Sequence, residues 1–269
     1  NNNISIGFDS RYNFGNIENI ALEFLYDDEL EPLDYQAREV NRSDLSGLNF
    51  NFGLIYKGKI SSSLDLHSSF SYSPEYNLSS RNSRGVASIV INSNSGLEFP
   101  INEITVDLES VGLAKTDLTM PSKTNIGLGV GKDKKWFLGA EYTFLSSSVF
   151  SNDLINIDNS RFEDSSIISV GGFYIPDYSS FSGVLKRLVY RAGLYSEKTG
   201  LNINGESISE FGISFGLGIP SGGLFSNINT TVEFGKRGTT DANLVEENFV
   251  NFQLSLSLND RWFIKRKYN

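Results

Sequence analysis

The chain has 269 residues, and 23 Lys and Arg against 32 Asp and Glu leave a net charge of −9. An acidic chain with no basic block is a poor candidate for binding nucleic acid through phosphates. With no Cys and one His, a disulfide framework, thiolate catalysis, Cys-ligated metal clusters and His-rich metal sites are all excluded.

No stretch reaches about 18 uninterrupted apolar residues, so no transmembrane helix is expected. The opening Asn1-Asn2-Asn3-Ile4 carries neither the basic nor the apolar region of a signal peptide. What recurs along the chain is period-two alternation, the mark of half-exposed strands. Ile4, Ile6 and Phe8 begin it, and Ile20, Leu22, Phe24 and Tyr26 form the next row. Leu48, Phe50, Phe52, Leu54 and Tyr56 then oppose Asn49, Asn51, Gly53 and Ile55. Lys57-Gly58-Lys59 reads as a turn, after which Leu64, Leu66, Phe70 and Tyr72 oppose Asp65, His67, Ser69 and Ser71. Ile126, Leu128 and Val130 alternate with glycines, and Trp136, Leu138, Ala140, Tyr142 and Phe144 oppose Phe137, Gly139, Glu141 and Thr143. Ile168, Val170 and Tyr174 follow, then Leu188, Tyr190, Ala192 and Leu194. The row Phe211, Ile213, Phe215, Leu217 and Ile219 faces away from Gly212, Ser214, Gly216 and Gly218. Ile228 to Phe234 and Val250 to Leu258 complete the series.

Strands of a soluble sandwich also alternate, but their second face should be rich in Lys, Glu, Arg and Thr. Here it is mostly Gly, Ser and Asn, and aromatics close many apolar rows, as Tyr56, Tyr72, Trp136 and Phe144 do. There are also too many apolar rows for one sandwich core. Membrane-crossing strands of about 9–11 residues, apolar outward and small inward with aromatic girdles, predict this pattern. Lipid forbids unpaired backbone groups, so such strands must close on themselves. The expectation is an all-β fold: a transmembrane antiparallel up-and-down β-barrel of about 14 strands (12 being the other even count), in one domain over residues 1–269. Connections alternate accordingly. Lys132 to Lys135 and Pro220-Ser221-Gly222-Gly223 are short, whereas Asp27 to Asp44, Ser146 to Asp164 and Lys236 to Glu247 are long and polar.

On this reading Phe211, Ile213, Phe215, Leu217, Val250, Phe252, Leu254 and Leu256 face lipid, while Asp65, His67, Glu141, Arg191 and Glu233 face the lumen. An inward charge without water or a partner is costly, so Arg191 is expected to pair with a carboxylate across the lumen. His67 shares a face with Asp65, but no nucleophile is implied by spacing, and a lumen hydrogen bond is the simpler role. Gly127-Leu128-Gly129-Val130-Gly131-Lys132 lacks the spacing and the following helix of a phosphate loop, so its glycines read as lumen-face residues. Asp27-Asp28 and Glu246-Glu247 suit solvated loops better than calcium. No catalytic residue, cofactor or metal is expected.

Gly235-Lys236-Arg237-Gly238-Thr239-Thr240, the strand after Asn243 to Phe249, and Trp262-Phe263-Ile264-Lys265-Arg266-Lys267-Tyr268 resemble one branch of the long-chain fatty-acid transporter (FadL-like, also TodX-like) outer-membrane proteins. Tyr190 to Tyr195, Phe211 to Pro220 and the proline-led Met120 to Gly129 extend the resemblance from about Leu118 to Asn269. The resemblance implies a 14-stranded barrel in the outer membrane of a Gram-negative bacterium. In transporting members an N-terminal hatch plugs the lumen, and hydrophobic compounds leave sideways through the wall. This sequence departs from that pattern in two places. It shows no Asn-Pro-Ala-like hatch motif before the first row, and a basic tail at Lys265-Arg266-Lys267 replaces a terminal aromatic. Two functions stand nearly level. One is passive passage of hydrophobic or small amphipathic compounds. The other is a non-transporting barrel subunit of a larger outer-membrane complex for protein assembly (BAM-like) or secretion. The expected partners are outer-membrane lipids and lipopolysaccharide, with other outer-membrane proteins in a stable complex.

Overall fold

A computed structural model describes residues 3–92, 95–150, 159–181, 183–220 and 225–258. In the first half the strands are β1 (Ile4–Glu23), β2 (Gln36–Ser61), β3 (Leu64–Ser73), β4 (Tyr76–Ile91), β5 (Glu98–Thr105), β6 (Lys115–Met120) and β7 (Lys123–Lys132). The second half adds β8 (Trp136–Leu145), β9 (Ser160–Phe162), β10 (Ser165–Tyr174), β11 (Val189–Ile203), β12 (Glu206–Pro220), β13 (Phe225–Gly238) and β14 (Glu246–Leu258). One short helix, α1 (Val184–Arg187), lies between β10 and β11. All fourteen strands belong to a single antiparallel sheet in the order β14-β13-β12-β11-β10-β8-β7-β3-β2-β4-β5, with β1 on β2, β6 on β4 and β9 on β11, the all-β up-and-down architecture the alternation implies. Among the described residues no helix is long and apolar enough to cross a membrane.

Prolines break some passes of the chain into pieces. β3 and β4 lie end to end along β2, with Ser73 and Tyr76 on either side of Pro74. β6 and β7 do the same around Pro121, and the two breaks face each other because Tyr76 pairs with Met120 and Ser73 with Lys123. Proline has no N–H for the ladder, so a break is where it fits. Gly47 lets β2 pass this point: a Cβ there would meet the Asn77 carbonyl oxygen at 2.8 Å.

The sheet is single-layered. Its accessible surface is 19062 Å², whereas a compact monomer of this size exposes roughly 11,600 Å². Buried apolar side chains are few and sit toward the two ends of the strands. Leu78, Ala87, Ile89, Leu108 and Leu118 lie at one end, and Ile175 and Leu188 at the other. Among the described residues all strands lie in one sheet and no second sheet covers the apolar rows, so the sandwich alternative fails. Among the described residues β1 pairs only with β2 and β14 only with β13.

Several boundaries differ from the sequence reading. Lys57-Gly58-Lys59 is not a turn: β2 runs on to Ser61, with Lys57 opposite His67 and Lys59 opposite Asp65. Ile20 and Leu22 are no separate strand but the far end of β1, which pairs with β2 from Ile4↔Tyr56 to Glu23↔Ala37. Gln36 to Asp44, expected in a loop, is strand, because cross-strand pairs hold it although its sequence is too polar to alternate. β4 and β5 escaped notice for the same reason. The tail at 259–269 and the Ser221-Gly222-Gly223 turn lie outside the described residues.

Candidate functional site

In an antiparallel sheet, paired residues project from the same face. Following the register across the strands therefore assigns every side chain to a face. One row runs His67, Gly129, Gly139, Gly171, Gly193, Ser214, Glu233. The row toward the short connections runs Asp65, Gly131, Phe137, Phe173, Arg191, Gly216. The row on the other side runs Ser69, Gly127, Glu141, Ser169, Tyr195, Gly212, Gly235, Phe249. All five residues expected in the lumen thus share one glycine- and serine-rich face. The eight residues expected to face lipid share the opposite face and are all exposed, Phe252 at 70% and Phe215 at 57%.

Aromatic rings lie flat over glycines on the glycine–serine face. A Cβ on Gly129 or Gly139 would run into the Phe137 ring, one on Gly212 into the Tyr195 ring, and one on Gly235 into the Phe249 ring. Glycine leaves strand backbone uncovered, and a neighbouring aromatic that covers it restores the lost packing. Phe137 also stacks on Phe173 at 6.1 Å and meets His67 edge-on at 5.6 Å. The aromatics on this face carry no signal in composition, because only register shows which glycine each one covers.

A cavity of about 590 Å³ opens on this face, with His67, Phe137, Glu141 and Tyr195 around a glycine floor. It brings His67 and Glu141 together and leaves Asp65, Arg191 and Glu233 outside its lining. Glu141 accepts from the Asn125 side-chain amide at 2.9 Å. Glu233 accepts from the Tyr195 hydroxyl at 2.9 Å, and the same hydroxyl reaches Glu210 at 2.5 Å. Arg237 pairs with Glu210. That Tyr195–Glu210–Arg237 cluster went unseen in the sequence, since its members come from three strands.

Arg191 does not behave as expected. Its guanidinium donates to the Asn229 side-chain oxygen at 2.7 Å, and no carboxylate pairs with it among the described residues. It also lies beside Gly218, whose missing side chain leaves room for the guanidinium. A neutral acceptor suffices because the site is open to solvent. Asp27 is likewise a turn residue, its Oδ1 accepting from the backbone N–H groups of Glu29 and Glu31, and Glu246 pairs with Lys236 at 2.8 Å. No hydroxyl is hydrogen-bonded to His67 among the described residues, so the cavity presents hydrogen-bonding and aromatic surface without an assembled nucleophile and base.

The opposite face carries an apolar belt bounded by aromatics. Trp136, Tyr174 and Tyr190 fall in one row at the short-connection rim. Phe8, Phe52 and Tyr72 fall in one row at the other, with Phe144 in that row across Thr124. From Trp136 to Phe144 the strand advances about 26 Å, at about 3.3 Å per residue.

A family model described as BamG matches residues 1–269. It is a different family from the FadL-like branch suggested by the C-terminal motifs. No curated protein matches the chain. Among solved structures the chain is similar to the CymD monoaromatic hydrocarbon channel at 13% identity and a TM-score of 0.48, with 88% of this chain and 65% of that chain covered. It is also similar to a Pseudomonas aeruginosa FadL homologue at 10% identity and a TM-score of 0.33, with 88% and 82% covered. The chain therefore spans less than two thirds of the length of the first of these.

Proposed function

Because this chain belongs to the BamG family over residues 1–269, we propose that it is an outer-membrane β-barrel protein working as a non-transporting subunit of a larger assembly complex. The family name agrees with the assembly reading of the sequence, in a Gram-negative outer membrane. The observation that carries the proposal is strand length. A strand crossing a bilayer needs about 9–11 residues, whereas β1 has 20 and β2 has 26. On that face the β1–β2 row continues past Phe8 and Phe52 through Leu48, Tyr12 and Phe14, and charged residues enter only at Asn16↔Asp44 and Glu18↔Arg42, so the ladder from there to Glu23↔Ala37 stands outside the membrane. A protrusion of that size suits contact with other proteins and does nothing for conducting a small solute.

Passage of hydrophobic or small amphipathic compounds is the second reading, and the 590 Å³ cavity on the glycine–serine face favours it. Purification from native membranes in mild detergent separates the two. Stoichiometric co-migration with other outer-membrane proteins is the expected result. A chain that always runs alone, with a lipid-like molecule in its interior, would overturn the assembly reading in favour of passage.

A further inference from the structure

We infer that the apolar face across β8 to β13 holds one anionic phospholipid, its acyl chains in a groove of the belt and its phosphate at the short-connection rim. The inference rests on the reading that this face meets the membrane.

The groove has a volume of about 1030 Å³, at the upper end of the range for ligand pockets. Register explains its shape. Leu138, Gly172, Ala192 and Phe215 follow one another in a single row. Two small residues between two large ones cut a trough into an otherwise bulky belt. Tyr174 and Tyr190 close the trough at the rim, and both line it.

The charge at that rim is the reverse of the whole chain's. The segments 132–136 and 175–188 carry Lys132, Lys134, Lys135, Lys186 and Arg187 against Asp133 and Asp177, in a molecule of net charge −9. These cations are held close to the groove. The Lys135 ammonium lies 5.5 Å from the Tyr174 ring centre, and Lys134 lies 5.1 Å from that of Tyr178. The Tyr190 hydroxyl donates to the Leu185 carbonyl at 3.1 Å, which ties α1 to the groove wall. The N–H of Asp177 bonds the Lys186 carbonyl at 2.8 Å, closing the second segment on itself, and that of Ile175 bonds the Lys135 carbonyl at 2.7 Å, joining it to the first. None of the five cations is in an ion pair among the described residues: the Lys135 ammonium donates to the Pro176 carbonyl and meets no carboxylate, and the Nε of Arg187 is buried with no hydrogen-bond partner. Unpaired cations beside interfacial tyrosines match a phosphodiester on a glycerolipid. Leu185, 70% exposed on α1, adds an apolar side chain at headgroup depth.

The test titrates the full chain, purified in a nonionic detergent, with phosphatidylglycerol or phosphatidylcholine and counts retained lipids by native mass spectrometry. The expected result is one retained phosphatidylglycerol, held at least tenfold more tightly than phosphatidylcholine. Lys135→Gln with Arg187→Gln should abolish that preference, and Ala192→Leu should weaken retention at least threefold by filling the trough without touching a charge. Equal retention of the two lipids by the unaltered chain would overturn the site without needing any variant to fold. Retention unchanged in both variants would do the same. Glycerol phosphate displacing the lipid at equal concentration would show that the groove contributes nothing, and would also sink the inference. A chain that stays monodisperse in buffer without detergent would remove the membrane reading itself, a different outcome from a detergent-dependent chain with no lipid preference.

Discussion

The wall formed by β7, β8 and β10–β14 and the tall ribbon formed by β1, β2, β4, β5 and β6 belong to one sheet but are held together by different forces. On the wall, large apolar side chains face outward and rings lie over glycines on the other side. In the ribbon ion pairs recur toward the end away from the short connections: Arg42 with Glu18 and Asp44, Arg84 with Glu39, Arg38 with Glu98. Asn82 shows how that ribbon is knit. It accepts from the hydroxyls of Ser43 and Ser80 and donates to the Leu113 carbonyl and the Thr116 hydroxyl. The difference teaches that hydrogen-bonded strands alone do not tell the surrounding medium, whereas the side chains they display do. A wall suited to hydrocarbon spends no charge outward, and a ribbon suited to water can be laced with it.

The largest effect expected from this contrast comes from placing a charge on each region. Phe215→Lys, in the middle of the belt, should cost about 2–4 kcal/mol of stability in a lipid environment. Asn19→Lys, exposed in the polar far part of the ribbon opposite Asn41, should cost less than about 0.5 kcal/mol. Denaturant unfolding in lipid vesicles reads both, and equal costs would mean that the two regions share one medium.

Packing gives the next contrast. Gly129→Val drives a branched side chain into the Phe137 ring and should cost about 1–3 kcal/mol. Gly85→Val in β4 meets nothing nearer than a Glu103 carboxylate oxygen at 3.5 Å and should stay within about 0.5 kcal/mol of the parent. A similar loss at both positions would remove the ring-over-glycine account of the wall.

Polar bonds should reverse the order of the regions. Asn82→Ala leaves partners of a buried network unpaired and should cost about 1–2 kcal/mol, with faster amide exchange over residues 106–114. Asn229→Ala, which removes only the acceptor of a solvent-open Arg191, should cost less than about 0.5 kcal/mol. Equal exchange rates in the Asn82→Ala and parent proteins would show that Asn82 does not anchor that loop.

The smallest effect concerns acid. Hydrogen bonds from Ser207, then from Arg161 and Asn202, hold the Glu163 carboxyl below the usual carboxylate range. A depressed native pKa means that its contribution is present above the unfolded value and is lost as pH falls through the native one. Glu163→Gln should therefore lower the unfolding midpoint slightly at pH 6, by an amount that shrinks as the pH falls below the ordinary carboxylate range. A deficit that does not shrink on acidification would assign Glu163 a role independent of its charge.

Much of the wall was legible in advance, and its candidate residues sort onto the expected faces. Phe211 to Leu217 and Val250 to Leu256 alternate against Gly, Ser and Asn, and a pleated strand turns such alternation directly into two faces. The ribbon was legible only in part: the Ile4 to Phe8 and Leu48 to Tyr56 rows show in the sequence, whereas Gln36 to Asp44 and Ser79 to Gly85 are too polar for period-two reasoning to detect. The site was half legible. His67, Glu141 and Glu233 share one face, as their alternation implied, but Arg191 found Asn229 in place of a carboxylate. Tyr195, Glu210 and Arg237 converge from strands whose relative register no local pattern encodes.

What the sequence determined by itself is the all-β class and the sidedness of the wall, since both follow from a repeat of two residues that any single strand carries. The tertiary structure alone decided which strands are long, where Pro74 and Pro121 break the passes opposite each other, and which ring covers which glycine. It also decided that Gly172 and Ala192 fall side by side to make a trough. Those outcomes depend on register between strands distant in the chain, where one residue of slip would exchange the faces and leave the alternation of each strand unchanged.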